Sequence, residues 1–288
     1  MKKILTATAS LMMLAVSAQA QTPAAPAETP EWTVAGNASL NSDYRFRGFT
    51  QTNYGAALQG GIDIAHSSGF YVGNWNSNVA QDLYNGASLE MDFYGGYKGE
   101  IAPGVGYDLG AIYYYYPQSG VDRAGVKWTQ NGNTVFTNKK INNQEVYLGL
   151  SYGPLSAKLF YATGDYFKTA DLAGVVNNTT LQSTKGTTYL DLSYTQEVEG
   201  LILGAHYGLL TVKNYSQGNN LTMSADVGGV LPKSVGDYKL SIGKDIGAGY
   251  ILTGAYVGTT KKGYFATDLG AQTAAGKSSV VVSVAKTF

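Results

Sequence analysis

The sequence predicts an all-β fold: a transmembrane antiparallel β-barrel of about twelve strands, with short turns at one end and long loops at the other. Three observations carry this reading. The final stretch, Ser278–Phe288, sets Val280, Val282, Val284 and Phe288 on one face against Ser279, Ser283 and Thr287 on the other, and it stops on an aromatic. The same period-two alternation recurs along the chain. The connections between alternating segments are in turn short and long, the layout of an even-stranded bacterial outer-membrane barrel.

The N-terminus reads as an export signal. Lys2 and Lys3 precede an apolar run from Ile4 to Val16, and Ala18-Gln19-Ala20 forms an A-x-A cleavage pattern. Residues 1–20 are therefore expected to be a cleaved signal peptide. The run is shorter than the ~20 residues a spanning helix needs. Residues 21–30, with Pro23, Pro26 and Pro30 among Ala, Thr and Gln, read as a disordered leader. Residues 31–288 are then the barrel.

Composition narrows the function classes. Charged residues make up 14% of the chain. Removing Lys2 and Lys3 from a balance of 20 basic and 20 acidic residues leaves a formal charge of −2, which argues against a nucleic-acid partner. With 0 cysteines, disulfides, thiolate catalysis and Cys-ligated metals are excluded. The 37 glycines disfavour helices, and the 23 tyrosines suit strands and membrane interfaces. No cofactor is implied.

The first strand reads from about Trp32 to Gly48. It places Trp32, Val34, Ala38, Leu40, Tyr44 and Phe46 outward, and Asn37, Ser39, Asn41, Asp43, Arg45 and Arg47 inward. The second, near Ala56–Ala65, opposes Leu58, Ile62 and Ile64 to Gln59 and Asp63. The third, near Phe70–Val79, opposes Tyr71, Trp75 and Val79 to Asn74, Asn76 and Asn78. The fourth, near Ser88–Lys98, opposes Leu89, Met91, Phe93 and Tyr97 to Glu90 and Asp92. The fifth, near Val105–Tyr116, opposes Val105, Tyr107, Leu109 and Tyr113 to Asp108, with Tyr114 and Tyr116 inward.

The second half continues the pattern. Val146, Leu148, Leu150 and Tyr152 oppose Glu145. Leu155, Leu159 and Tyr161 oppose Lys158. Leu190, Leu192 and Tyr194 oppose Asp191. Leu203, Tyr207 and Leu209 oppose His206. Tyr238, Leu240 and Ile242 oppose Lys239. Tyr250, Leu252 and Tyr256 oppose Thr253. Short turns are expected at His66–Gly69, Gly99–Gly104, Gly153-Pro154, Glu197–Gly200 and Ile246–Ala248. Longer connections are expected at Gln118–Ile141, Asp165–Gly186, Lys213–Ser234 and Thr260–Lys277. A closed sheet follows from physics, because hydrocarbon offers the backbone no hydrogen-bond partners. Both termini fall on the short-turn side, which a barrel of this class keeps in the periplasm.

Asn41-Ser-Asp-Tyr-Arg-Phe-Arg-Gly-Phe-Thr-Gln-Thr52 resembles the N-terminal signature of the TorF porin family, also called Gcw_chp. Ala57–Asp63, His66–Trp75, Glu90–Gly99, Tyr107–Gly110 and Tyr113–Pro117 extend the resemblance. It implies an outer-membrane β-barrel with a porin role and supplies no substrate. The second half departs in its long Asn- and Thr-rich loops.

The sharpest functional expectation concerns Asp43, Arg45 and Arg47. Two of the chain's three arginines lie here. An arginine facing lipid at mid-depth costs about 2–4 kcal/mol, so this cluster should face the lumen and set a local field, or tie strand one to its neighbours. Asp63, Glu90, Asp92, Asp108, Glu145, Lys158, Asp191 and Lys239 complete the expected lumen wall. Acids outnumber bases in that set, which predicts a weak cation preference.

Asn74, Asn76 and Asn78 read as a hydrated wall or a surface for polar solutes. Enzymatic chemistry is not expected: the histidines are His66 and His206, and no H-E-x-x-H motif occurs. The alternative to a channel is a structural or adhesive barrel, displaying the loop Val121–Asn143 with Trp128 and Phe136. The expected partners are outer-membrane lipid and lipopolysaccharide, small solutes, and the barrel-assembly machinery, with Phe288 as its signal.

Overall fold

The computed structural model describes residues 30–81, 83–120, 129–130, 133–134, 140–168, 183–214, 234–262 and 275–288. The expected signal peptide, residues 21–29, most of the four long loops, and Trp128 and Phe136 lie outside them.

Period-two alternation produces strands wherever both ends meet a turn signal. In chain order they are β1 (Trp32–Asn41), β2 (Arg45–Phe46), β3 (Phe49–Thr50), β4 (Ala57–His66), β5 (Phe70–Asn78), β6 (Leu89–Ala102), β7 (Val105–Tyr115), β8 (Thr129–Gln130), β9 (Asn133–Thr134), β10 (Asn143–Tyr152), β11 (Leu155–Ala162), β12 (Thr188–Val198), β13 (Leu201–Thr211), β14 (Ser234–Asp245), β15 (Tyr250–Thr259) and β16 (Ser279–Thr287). A short 3-10 turn covers Tyr166–Lys168. Twelve strands close into one antiparallel barrel in the order β1-β16-β15-β14-β13-β12-β11-β10-β7-β6-β5-β4. The pairs β2–β3 and β8–β9 are separate small hairpins.

Closure leaves no sheet edge for water or another chain to fill. The seam pairs Asn37–Asn41 of β1 with Ser283–Thr287 of β16. Phe288 extends it, donating its N–H to the Gly36 carbonyl at 2.9 Å while accepting the Gly36 N–H at 2.7 Å. A Cβ on Gly36 would meet the Phe288 ring at 2.6 Å, so glycine there makes room for the terminal aromatic.

The exterior is apolar, as a membrane-spanning barrel requires. Val34, Leu58, Leu148, Leu240 and Val280 are among its exposed side chains. Aromatics gather toward both ends, with Trp32, Phe70, Tyr152, Tyr250 and Phe288 near the short turns and Tyr113, Tyr161, Tyr207 and Tyr256 toward the long loops. Such rings suit the headgroup level. The turn after β12 is Glu199-Gly200, with φ of 52° and 75°, the backbone of a tight two-residue hairpin. The turn after β6 is also shorter than expected, because β6 runs to Ala102 past an irregularity between Glu100 and Ala102.

Two expectations are corrected. The first strand does not reach Gly48. It ends at Asn41, and residues 42–56 fold inward, so Tyr44 is buried in the lumen rather than exposed to lipid. On β5 the two faces are exchanged. Phe70 and Val72 point outward, opposite Tyr97 and Ile64, while Trp75 is buried opposite Asp92. Asn74, Asn76 and Asn78 therefore share the outer face, not the lumen. They are tied to main chain, with Asn74 donating to the Asp92 carbonyl and Asn78 both donating to Ala56 and accepting from Leu58.

Candidate functional site

The lumen is organised by the folded-in hairpin. Arg47 and Gly48 form its tip with φ of 49° and 81°, which suits a tight turn with two left-handed residues. Gly48 is required for two reasons. Its φ is positive, and a Cβ would lie 2.6 Å from both Asp237 Cβ of β14 and Thr259 Cγ2 of β15. The tip therefore rests against the β14–β15 wall, two to three strands from its root at β1.

Two arginines fix the hairpin. Arg45 Nε donates to Asp43 at 2.5 Å, while its Nη atoms donate to the Gly48 and Lys277 carbonyls and to Ser279 Oγ. Asp43 also accepts the hydroxyls of Thr50 and Thr52. Arg47 reaches the opposite wall and binds Glu145 of β10 through both Nη atoms, at 3.0 and 2.7 Å. It also donates to the Tyr166 hydroxyl and lies 4.2 Å from the Tyr189 ring centroid. Burial raises the pKa of the Tyr166 phenol, outweighing the opposing Arg47 charge, so Tyr166 stays protonated. The planar guanidinium suits both the carboxylate fork and the ring faces. Phe46 packs edge-on against Tyr114 and Phe167.

The expected wall residues line the same interior in separate clusters. Glu90 accepts the hydroxyls of Tyr44 and Tyr116, each at 2.7 Å, and Tyr84 stacks on Tyr116. Asp108 accepts Lys158 Nζ at 2.7 Å and the Tyr71 hydroxyl. Asp63 accepts the Tyr94 hydroxyl. His206 faces inward, with Nδ1 3.3 Å from Asp191 and Nε2 2.8 Å from Asp237. Lys239 lies opposite His206 in the β13–β14 register. Ser193 donates to Asp191 at 2.7 Å and lies 3.2 Å from His206 Nδ1. His66 instead ends β4 beside a short turn, against Ser68 and Glu31.

Asp43, Arg45 and Arg47 are thus inside the barrel but on the folded-in hairpin rather than on a wall strand, which corrects their expected position. Asp237 and Tyr166 also belong to this interior and were not singled out by sequence, and Tyr44 and Trp75 belong to it although the sequence set them on the opposite face. For Asp237 a signal existed: it directly precedes the outward-facing Tyr238, so parity turns it inward. Phe288 lies away from the lumen, at the seam.

A family model described as a bacterial protein of unknown function (Gcw_chp) matches residues 23–288. The chain belongs to the Gcw_chp family. No curated protein matches it. Among solved structures, the KdgM porin in complex with disordered oligogalacturonate is similar at 8% identity and a TM-score of 0.48, covering 88% of this chain and 98% of that one. The NanC porin is similar at 9% identity and a TM-score of 0.48, covering 89% and 99%. Pseudomonas aeruginosa OccK8 (OprE) is similar at 13% identity and a TM-score of 0.40, covering 90% and 67%.

In this Gcw_chp barrel the lumen charges are unevenly matched. Arg45 pairs with Asp43, Arg47 with Glu145 and Lys158 with Asp108. Among the described residues, no cation forms an ion pair with Glu90, Asp92 or Asp63. Asp92 is fully buried, and neither carboxylate oxygen has a hydrogen-bond partner. A depression of about 750 Å3 between Ile62, Val72, Phe93, Tyr113 and Val146 opens on the outer face, where Gly95 and Ala111 are small; it belongs to the lipid-facing surface rather than to these clusters.

Proposed function

We propose that this protein is an outer-membrane channel for passive diffusion of small polar or charged solutes, narrowed by the hairpin at Ser42–Ala56. The observation that carries the reading is the charged interior. A barrel with an apolar exterior and no transport role has no need to bury Glu145, Lys158, Asp108 and Asp191 on its inner wall, with Arg47 folded in against them, since a filled core of apolar side chains costs less. Twelve strands enclose a lumen intermediate between filled eight-stranded barrels and wide porins. The excess of acids over bases on the wall favours cations.

In this reading a cleaved signal peptide directs export, the barrel-assembly machinery reads the Phe288 strand, and both termini stay in the periplasm. Lipid and lipopolysaccharide contact the outer face. The transported solute is small and polar.

A second reading is a non-conducting barrel. The tight burial of Asp43, Arg45, Arg47 and Thr50 favours it, because these side chains fill space that a solute would cross. Single-channel recording of the purified barrel in a planar bilayer under a salt gradient separates the two. Reproducible steps with a cation-selective reversal potential are expected. A folded barrel that gives no steps favours the second reading, and anion selectivity rejects the charge argument.

A further inference from the structure

We propose that the lumen wall holds a small, oxygen-seeking cation between Asp92 and Glu90, beneath the folded-in hairpin. This goes beyond the channel reading and does not depend on it, since a barrel that conducts nothing can still hold the ion.

The first observation is Asp92 itself. It sits in a row across the sheet, opposite Trp75 on β5 and Tyr114 on β7, and all three side chains are buried. Neither of its carboxylate oxygens has a hydrogen-bond partner. A buried carboxylate normally takes up several donors or a cation, because each oxygen lost its water on folding. Here neutral aromatic walls surround it, and Glu90 and Glu145 add like charge.

The second observation is independent of Asp92. Glu90 lies two residues away on the same strand face, about 7 Å along the strand by its rise per residue. Each Glu90 oxygen accepts only one tyrosine hydroxyl, and a carboxylate oxygen has room for two partners. The nearby arginine is committed, because Arg47 holds Glu145 with both Nη atoms and also donates to Tyr166. Arg47 therefore neutralises Glu145, and no cation pairs with Glu90 or Asp92 among the described residues.

The donor set defines the ligand class. Carboxylates and phenol oxygens are hard donors, which suit calcium- or sodium-like ions with bonds of about 2.3–2.6 Å in the calcium case. With 0 cysteines in the chain, no thiolate can select a softer metal. Among the described residues no three His, Asp or Glu side chains converge on one point. Two carboxylates therefore hold the ion, with the Tyr44 and Tyr116 hydroxyls bound to Glu90 beside it. A proton on Asp92 is the competing explanation, and the Asp92→Asn variant separates the two.

Trp75 provides the readout, since it faces Asp92 across the β5–β6 pairing. The purified barrel is refolded in detergent with Tb3+, a luminescent stand-in for calcium, and folding is checked by heat-modifiable migration. Saturable indole-sensitised emission is expected. Calcium should displace it, and Trp75→Phe should dim it. Asp92→Asn should weaken Tb3+ binding at least tenfold, whereas Glu197→Gln on the short-turn rim should not change it. If Asp92→Asn does not fold, Glu90→Gln carries the same expectation. Absent emission, or emission in the Asp92→Asn and Glu90→Gln variants unchanged from that of the wild type, overturns the proposal. So does a folded Asp92→Asn barrel of higher thermal midpoint when calcium shifts neither protein, because Asp92 is then a protonated carboxyl. Conductance is recorded separately, so loss of the ion site and loss of the channel are distinguishable.

Discussion

Arg47 and Glu145, 98 residues apart in the chain, are joined across the lumen by two hydrogen bonds of 3.0 and 2.7 Å. The pair ties the tip of a hairpin that leaves the barrel after β1 to the opposite wall at β10. Both side chains are almost fully buried. The bond therefore decides where the hairpin sits.

Removing one partner should destabilise the barrel more than removing both. Glu145→Gln leaves a buried guanidinium without its countercharge, a loss of about 3–5 kcal/mol. The double variant Arg47→Leu with Glu145→Leu should lose less, because no charge is stranded. Urea unfolding in detergent or lipid reads both. A double variant as damaged as the single one counts against a charge-specific latch. In bilayers, Glu145→Gln should also raise unitary conductance by loosening the hairpin.

Gly48 is the weakest point of the hairpin. Gly48→Ala places a methyl against Asp237, Thr259 and the Gly258 carbonyl at a positive φ. The left-handed backbone alone costs about 1–2 kcal/mol, and the contact adds to it. Trypsin should then cleave at Arg45 or Arg47 in the variant and spare the wild type. Equal resistance would show that the tip tolerates displacement.

The faces of β5 can be tested by fluorescence and labelling. Trp32 is exposed on the outer surface and Trp75 is buried inside. Brominated lipid should quench Trp32 and leave Trp75 bright, with single-tryptophan variants separating the two. A cysteine at Asn74 should react with a membrane-soluble maleimide, and one at Ser77 should not. Reversed labelling would restore the parity expected from sequence.

The seam depends on Phe288 and Gly36. Gly36→Val inserts side chain into the space of the Phe288 ring, so it should slow refolding into vesicles several-fold. Deleting Phe288 removes two backbone hydrogen bonds as well and should slow it further. Normal insertion of the deletion variant would argue against Phe288 as an assembly signal.

Alternation by itself determined most of this protein. It turned Glu90, Asp92, Asp108, Glu145, Lys158, Asp191 and Lys239 inward, because successive side chains on a strand must point to opposite faces. Short connections placed the rims, and Ser278–Phe288 marked the closing strand. Tertiary structure alone decided where alternation stopped meaning strand. Asp43 to Gly48 alternates well enough to read as more of β1, yet its arginines find better partners within the lumen, at Lys277, Ser279 and Glu145, than on a wall. On β5, Phe70 and Val72 on one face compete with Tyr71 and Trp75 on the other. The local pattern is balanced, and pairing with β4 and β6 breaks the tie. Period two is a property of neighbours in sequence, whereas the hairpin's seat, the β5 parity and the orphaned Asp92 carboxylate are set by residues tens to hundreds of positions away.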